Sequence, residues 1–317
     1  YLLGMLKVME AVPNFSEGRD REKVRALVES IATVDVDVLD WSADPDHNRA
    51  VVTFIGEPRD VEEASVVAAR FALEHIDLRE HEGVHPRVGA LDVLPFVPVE
   101  VVAMAEAVES AHRVGRRIAE LGVPVFFYGQ ASTPPGRALS ELRRGGFEAL
   151  RDGFPPDRRP DLPPDAARPH PTAGVTCVGA RGILLAWNVF VGGVELDDAK
   201  EIAARLREAG GGFRGLRALG LRLADGDRVQ ISMNLEDPFA TSPVTVFEAI
   251  EEAVMDRGGH IEETEVIGMI PDTLVHPATG NRLLISDFGP ARVLSRRVAA
   301  YVARRTSGRT ETSERAE

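Results

Sequence analysis

Residues 34–56 read VDVDVLDWSADPDHNRAVVTFIG and contain two strand patterns separated by a turn. Valine alternates with aspartate at the start of this stretch, which is typical of a strand with one buried face. The middle letters, ADPDH, are rich in the aspartate and proline that favour turns. The final letters, NRAVVTFIG, predict a second strand. This strand–turn–strand unit is the centre of the fold that the sequence predicts.

Similar patterns extend on both sides of this unit. Asp20 is a candidate N-cap for the helix that precedes it, and Pro58 stands in the first turn of the helix that follows it. The predicted order is strand 8–14, helix 20–33, the two strands of 34–56, helix 58–76 and strand 90–97. A helix over 100–121 and a strand over 123–129 follow. The core of this half is therefore β-α-β-β-α-β.

Residues 152–174 interrupt the pattern with seven prolines, which forbid a regular helix or a central strand. The segment is either an interdomain linker or a binding loop between two halves, because clefts at domain junctions commonly bind ligands. The β-α-β-β-α-β order then returns. Its elements are strand 182–191, helix 196–210, a hairpin of 216–225 and 228–237, helix 242–258 and strand 260–270.

The sequence therefore predicts an α+β protein made of two βαββαβ sandwich subdomains. Each subdomain has an antiparallel or mixed sheet with helices on one face, and a ligand groove lies between the two. We place the subdomains at residues 1–174 and 175–300. Residues 304–317 are polar and lack large apolar side chains, so we expect the tail over 301–317 to be disordered.

Composition excludes some classes of function. The formal net charge of −13 over 317 residues argues against general nucleic-acid binding, which needs a basic surface. We expect no membrane span, because no apolar run is long enough. The single cysteine, Cys177, excludes an internal disulfide and fits a reducing compartment such as the cytoplasm.

Residues 81–85, HEGVH, match the pattern of zinc proteases. In that pattern His81 and His85 would bind zinc from one face of a helix, with Glu82 as the general base. Pro86 disfavours a helical conformation at the residue before it, and no third ligand is evident. A zinc hydrolase is kept as an alternative, but we expect no metal.

Several longer motifs resemble the glutamate formimidoyltransferase family, the transferase part of formimidoyltransferase-cyclodeaminase. They occur in the same order as in the family and at matching spacings. They are EAVPNFSEGR (10–19), DHNRAVVTFIG (46–56), HEGVHPRVGALDVLPFVPV (81–99), VPVFFYG (123–129), HPTAGVTCVGAR (170–181) and AWNV (186–189). The resemblance covers the transferase part alone, as in the stand-alone bacterial type.

The resemblance implies transfer of a formimidoyl group from N-formimidoyl-L-glutamate to N5 of tetrahydrofolate, in histidine degradation and one-carbon metabolism. It implies tetrahydrofolate as a co-substrate, a folate site between the two subdomains and a cytoplasmic homodimer. A glutamate formyltransferase that uses the same folate site is an alternative.

The resemblance places the catalytic histidine at His85. Amidine transfer requires one proton to leave the attacking amine and another to reach the departing nitrogen, and a histidine can do both. The first subdomain would then hold this histidine and the proline-rich folate loop. Other candidates for substrate or folate binding are Asn14, Ser16, Asn48, Arg49, His81, Arg87, Pro169, His170, Pro171, Thr172, Ala173, Gly174, Arg181 and Asn188.

Arg49 and Arg87 are the candidates for holding substrate carboxylates, because a guanidinium pairs with a carboxylate through two hydrogen bonds. One departure from the family concerns Ser42, which stands where the bifunctional enzyme has an aspartate. If that carboxylate assists the catalytic histidine, Asp40, Asp44 or Asp46 must replace it, or the assistance is missing.

Overall fold

The computed structural model describes residues 6–83, 86–223, 228–274, 281–285 and 287–314. It divides into two compact units, one of Tyr1–Arg181 with Ala300–Glu317 and one of Gly182–Ala299. Each unit contains its own sheet and its own apolar core. The predicted α+β class with two subdomains is confirmed. Within the described residues, no helix combines the length and the apolar composition that a membrane crossing requires.

The first unit contains a seven-stranded sheet and four helices within its main body. Its strands are β1 (Val8–Ala11), β2 (Asn14–Phe15), β3 (Asp37–Asp44), β4 (Arg49–Gly56), β5 (Leu91–Glu100), β6 (Val125–Gly129) and β7 (Thr176–Ala180). Its helices are α1 (Arg21–Ile31), α2 (Pro58–His75), α3 (Met104–Glu120) and the short α4 (Leu139–Leu142). As predicted, the side chain of Asp20 caps α1 by accepting from the backbone N–H of Lys23, and Pro58 begins α2.

The strand predicted over residues 8–14 is two short strands that share one position in the sheet. Both β1 and β2 lie between β4 and β5 and pair antiparallel with each. Pro13, which has no N–H to donate, lies in the gap between them. Strand β3 pairs antiparallel with the other side of β4. At the opposite edge, β7 pairs parallel with β5 and with β6.

The two faces of this sheet are covered differently. One face packs against α1, α2 and α3, and their shared core contains side chains such as Phe15, Phe54 and Phe96. Part of the other face is covered by residues 139–154, here called the 139–154 segment. Leu142 and Leu150 of this segment pack with Cys177 and other apolar side chains of the sheet. Sequence reasoning did not assign any structure to this segment.

The second unit follows the predicted β-α-β-β-α-β order. It contains β8 (Leu185–Gly192), α5 (Leu196–Leu206), β9 (Leu216–Arg222), β10 (Val229–Leu235), α6 (Pro243–Met255) and β11 (His260–Ile267). The strands pair antiparallel in the order β11-β8-β10-β9. In its core, the ring of Trp187 stacks on that of Phe247 with their centroids 6.1 Å apart. The ligand groove between the two units stays a prediction.

Two features differ from expectation. Residues 176–180 form β7 of the first sheet, so the division lies beyond the predicted boundary after residue 174. The second difference is a helix, α7 (Leu294–Glu314), which includes most of the tail for which we expected disorder. Tyr301 is fully buried, and Arg305 of this helix binds Asp35 at 2.5 Å. Burial of the Tyr301 ring and this ion pair stabilise the helix. The polar composition of the tail did not indicate it.

Candidate active site

Two candidate residues of the first unit, Asn14 and Arg49, lie on the sheet face opposite α1, α2 and α3. Asn14 pairs with Val51 of β4 and with Val93 of β5. Cross-strand partners share a face, and Val93 packs with the 139–154 segment rather than with the helices. Arg49 stands two residues before Val51 and therefore projects to the same face.

Four residues on this side of the sheet form the Asp92 cluster, which consists of Asn14, Arg49, Asp92 and Arg143. Asp92 is fully buried and accepts from Arg49 Nη1 at 2.8 Å and from Arg143 Nη2. Arg49 also donates from Nε and Nη2 to Asn14 Oδ1, at 3.1 and 2.9 Å. Sequence reasoning predicted Arg49 and Asn14 but missed Asp92 and Arg143.

The charges of the Asp92 cluster shift its titration. Burial alone would raise the pKa of Asp92, but Arg143 and Arg49 outweigh it and lower this pKa to about 2. Burial and the neighbouring Arg143 lower the pKa of Arg49 to about 10, against the opposing effect of Asp92. Asp92 and Arg49 are therefore both charged near neutral pH, and the guanidinium of Arg143 is a second cation beside the same anion.

A second set of residues, the Arg87 cluster, consists of Asn48, His81, Arg87 and Glu148. Arg87 Nε donates to His81 Nδ1 at 2.9 Å, and Arg87 Nη2 donates to the His81 carbonyl at 3.1 Å. Both Nη atoms also bind the carboxylate of Glu148, at 2.8 and 2.7 Å. The other ring nitrogen of His81, Nε2, lies 2.8 Å from the carbonyl of Asn48. Arg87, a candidate for binding substrate, thus has most of its donors engaged by the protein.

The ring of His81 has a defined protonation state. Arg87 Nε can only donate, so His81 Nδ1 must accept and the proton lies on Nε2, which donates to Asn48. Burial lowers the pKa of His81, and Arg87 adds to this against the bond to Asn48. A neutral ring with both nitrogens engaged has no lone pair for zinc. This geometry does not favour the zinc hydrolase alternative.

The two clusters hold the chain on both sides of the predicted catalytic histidine. His85 lies with Val84 outside the described residues. Before them, Asn48 Nδ2 donates to the carbonyl of Glu82 at 2.9 Å. After them, the backbone N–H groups of Val88 and Gly89 donate to Asp92 Oδ1 at 2.8 and 3.3 Å.

Asn48 has a left-handed backbone with a φ of 46°, which asparagine tolerates better than most residues. Its side-chain oxygen accepts from the N–H of Gly18 at 2.9 Å. Ser16 donates to the carbonyl of Gly89 at 2.7 Å. Both predicted residues therefore anchor the backbone around residues 81–89.

The predicted folate loop, residues 169–174, lies against the same part of the chain. The backbones of His170 and Gly174 exchange two hydrogen bonds, at 2.9 and 3.0 Å. Ala90 donates to the carbonyl of Ala173 at 2.9 Å. Gly174 has a φ of 68°, and a Cβ there would stand 2.1 Å from the carbonyl oxygen of Val88. The structure thus brings this loop beside residues 88–90.

Other residues of the predicted loop form hydrogen bonds within this turn or with Leu78. His170 Nδ1 accepts from the backbone N–H of Ala173 at 3.1 Å, and burial lowers the pKa of His170. The carbonyl of Thr172 accepts from the N–H of Leu78 at 2.9 Å. Pro169 is buried and Pro171 is exposed.

Arg181 ends the first unit, and its N–H donates to the carbonyl of Phe96 at 3.1 Å. Its side chain acts on two buried groups. It hydrogen-bonds Tyr128, but burial still raises the pKa of Tyr128 to about 12. The positive charge of Arg181 opposes the rise in the pKa of Glu10. Asn188, in the second unit, donates to Glu265 at 3.3 Å.

Glu10 was not predicted from the sequence. It is only 4% exposed and pairs across strands with Ile55 and Val97, on the sheet face opposite the helices. Burial raises the pKa of Glu10 to about 7. A carboxyl group that titrates near neutral pH is a candidate for proton transfer or for polar recognition.

The carboxylates that could replace the family aspartate differ in their partners. Asp44 Oδ2 lies 2.6 Å from Nδ1 of the buried His47. Burial opposes ionisation of Asp44, but the bonds from His47 hold its pKa below the usual range. Ser42 and Asp40 lie on β3 opposite Val51 and Thr53.

Cys177 is the one cysteine of the sequence and it is fully buried. Burial raises the pKa of its thiol well above the ordinary value. A buried thiol that keeps its proton is a poor nucleophile.

Two family models match this chain. The model for the formiminotransferase domain, N-terminal subdomain, matches residues 8–181, and the model for the formiminotransferase domain matches residues 186–280. Glutamate formimidoyltransferase of Streptococcus pyogenes serotype M1 is 37% identical over 289 residues, which cover 90% of this chain and 96% of that protein. The enzyme of the same name from Thermoplasma acidophilum is 34% identical over 299 residues, covering 92% and 98%. Formimidoyltransferase-cyclodeaminase of Sus scrofa is 39% identical over 277 residues, covering 84% of this chain and 51% of that protein.

Proposed function

The chain belongs to the formiminotransferase family and is a transferase, and we propose that it moves a formimidoyl group from N-formimidoyl-L-glutamate to N5 of tetrahydrofolate. The family supports formimidoyl transfer as the chemistry. The acceptor and a place in histidine degradation are the proposed parts. A cytoplasmic location and a homodimer belong to the same proposal.

One observation carries the proposal. The backbone on each side of Val84 and His85 is fixed by buried groups, through Asn48 before them and through Asp92 after them. A catalytic group contributes most when its backbone is held in place before the substrate arrives. Fixed flanks on both sides of one histidine are what a proton-transfer residue requires.

In this proposal His85 moves two protons. The folate N5 amine attacks the formimidoyl carbon, forms a new C–N bond and gives a proton to the imidazole. The tetrahedral intermediate then breaks its bond to the glutamate nitrogen, and the imidazole returns a proton to that nitrogen. The proton count balances and the histidine is regenerated. No metal ion is needed in this scheme.

The donor decides between the proposal and its alternative. Purified protein with tetrahydrofolate is incubated with N-formimidoyl-L-glutamate and, separately, with N-formyl-L-glutamate. We expect a 5-formimidoyl product from the first donor and little turnover of the second. Turnover of the formyl donor alone would replace the proposal with glutamate formyltransferase. Activity that disappears on chelation and returns with zinc would favour the hydrolase alternative.

The variant His85→Asn tests the proton-transfer role. We expect turnover to fall by roughly 10²–10⁴-fold, the usual effect of removing an acid–base group. His75→Asn is the matched control, because His75 is an exposed residue in the last turn of α2. An unchanged rate in His85→Asn would disprove the assigned role.

A further inference from the structure

Arg143 has donors that the described residues do not use. Its side chain is 12% exposed, and its one side-chain partner among these residues is Asp92. The Nε atom is buried and has no hydrogen-bond partner there. A guanidinium has five N–H donors, and a buried donor without a partner is costly.

The neighbouring groups cannot complete the bonding of Arg143. Asp92 already accepts from Arg49 and from the N–H groups of Val88 and Gly89, so its two oxygens are fully engaged. Arg49 is a second cation. The positive charge of Arg143 helps to lower the pKa of Arg49, and both arginines lower the pKa of Asp92. Within the part of the chain that the structure describes, the buried Arg49, the mostly buried Arg143 and the single carboxylate of Asp92 leave one positive charge without an anion. The Asp92 cluster is therefore built to receive one more anion.

The position of the cluster indicates which anion it receives. Asp92 binds the N–H groups of Val88 and Gly89, which follow His85 closely in the sequence. A ligand on Arg143 would therefore lie near the part of the chain that carries the predicted catalytic residue. Both substrates of the proposed reaction contain a glutamyl group, and a carboxylate matches a guanidinium in charge and shape.

We propose that Arg143, with Arg49 beside it, binds a glutamyl carboxylate of the substrate. This inference rests on the proposed function and adds a residue to it that sequence reasoning had not singled out. The carboxylate belongs either to the formimidoylglutamate donor or to the glutamyl tail of folate. Both sources present the same chemical group, a carboxylate, and the experiment separates them.

Binding is measured first, without turnover. Titration calorimetry with N-acetyl-L-glutamate, a donor-shaped compound without a transferable group, is carried out on the wild type, Arg143→Gln and Arg143→Lys. We expect Arg143→Gln to bind about 10- to 100-fold more weakly, the usual worth of a charge-assisted bond, and Arg143→Lys to recover part of the loss. Arg144→Gln is the matched control, because Arg144 is exposed and pairs with the exposed Asp157.

Kinetics then identify the source of the carboxylate. A higher KM for formimidoylglutamate in Arg143→Gln, with the KM for tetrahydrofolate unchanged, assigns the carboxylate to the donor. A change only in the KM for tetrahydrofolate, absent when tetrahydropteroate replaces it, assigns the carboxylate to the folate tail.

Unchanged binding and unchanged KM values in a folded Arg143→Gln variant would overturn the inference and leave the proposed function intact. Thermal melting establishes that each variant is folded. A wild type that binds N-acetyl-L-glutamate through Arg143 but does not transfer the formimidoyl group would contradict the proposed function instead.

Discussion

The Arg87 cluster and the Asp92 cluster each place a buried arginine beside residues 81–89, yet they treat it in opposite ways. Arg87 donates four hydrogen bonds, to His81 and to Glu148. Among the described residues, the side chain of Arg143 donates one, to Asp92. The anion of the first cluster, Glu148, is 58% exposed, whereas Asp92 is fully buried between two cations. Two arginines with similar burial therefore have different functions. Arg87 holds protein groups together, and Arg143 keeps donors for the ligand that we propose.

Replacing Asp92, the anion of the Asp92 cluster, should give the largest loss of stability and so the largest difference between the clusters. Asp92→Asn leaves Arg49 and Arg143 buried without a counter-charge, and breaking a buried pair in this way costs about 3–5 kcal/mol. The free energy of unfolding in urea measures this loss. Asp161→Asn is the control, since Asp161 binds Arg137 through two bonds at a partly exposed position and should cost much less. Equal losses in the two variants would remove the distinction drawn for Asp92.

The pH dependence of stability should separate the clusters as well. The pKa of His81 is lowered from 6.5, so the unfolded chain binds a proton more readily than the folded one. The stabilisation by neutral His81 is present above pH 6.5 and is lost as the pH falls below it. The stabilisation by Asp92 is kept down to its ordinary pKa of 3.8 and is lost as the pH falls toward about 2. In His81→Gln, unfolding measured between pH 7 and 2 should lack the first loss and keep the second. A wild type and variant with parallel curves would contradict this.

The smallest effect is expected at the exposed anion of the Arg87 cluster. Glu148→Gln keeps one acceptor for Arg87, and solvent screens the charge that is lost, so we expect a cost below about 1 kcal/mol. Chemical denaturation again provides the measurement, with Glu141→Gln in α4 as an exposed control. A cost comparable to that of Asp92→Asn would show that the two clusters are equally dependent on their anions.

The sequence predicted the elements on which the site is built, because they follow from local periodicity. The β-α-β-β-α-β order appears in both units. Asn14, Arg49 and His81 were candidates from the motifs EAVPNFSEGR, DHNRAVVTFIG and HEGVHPR, and the structure places them in the two clusters. Asp92 left a visible signal, since a lone carboxylate in the apolar run ALDVLPFV needs a buried partner.

The partners of these residues could not be predicted in the same way. Arg143 and Glu148 contact Asp92 and Arg87 across 51 and 61 residues of chain, through a segment with little regular structure. No periodic pattern marks such contacts. Strand β7 was missed because its residues, TCVGA, are short and mostly small, and its neighbours in the sheet are distant in sequence.

The 139–154 segment has a consequence for synthesis of the protein on the ribosome. A growing chain contains residues 81–92 long before it contains Arg143 and Glu148. Until that later segment has left the exit tunnel, Arg87 has no carboxylate partner from it and Asp92 has only Arg49 as a cation. Any nascent chain or proteolytic fragment that ends before residue 139 therefore carries residues 81–92 without Arg143 and Glu148, the partners that this segment supplies to Asp92 and Arg87.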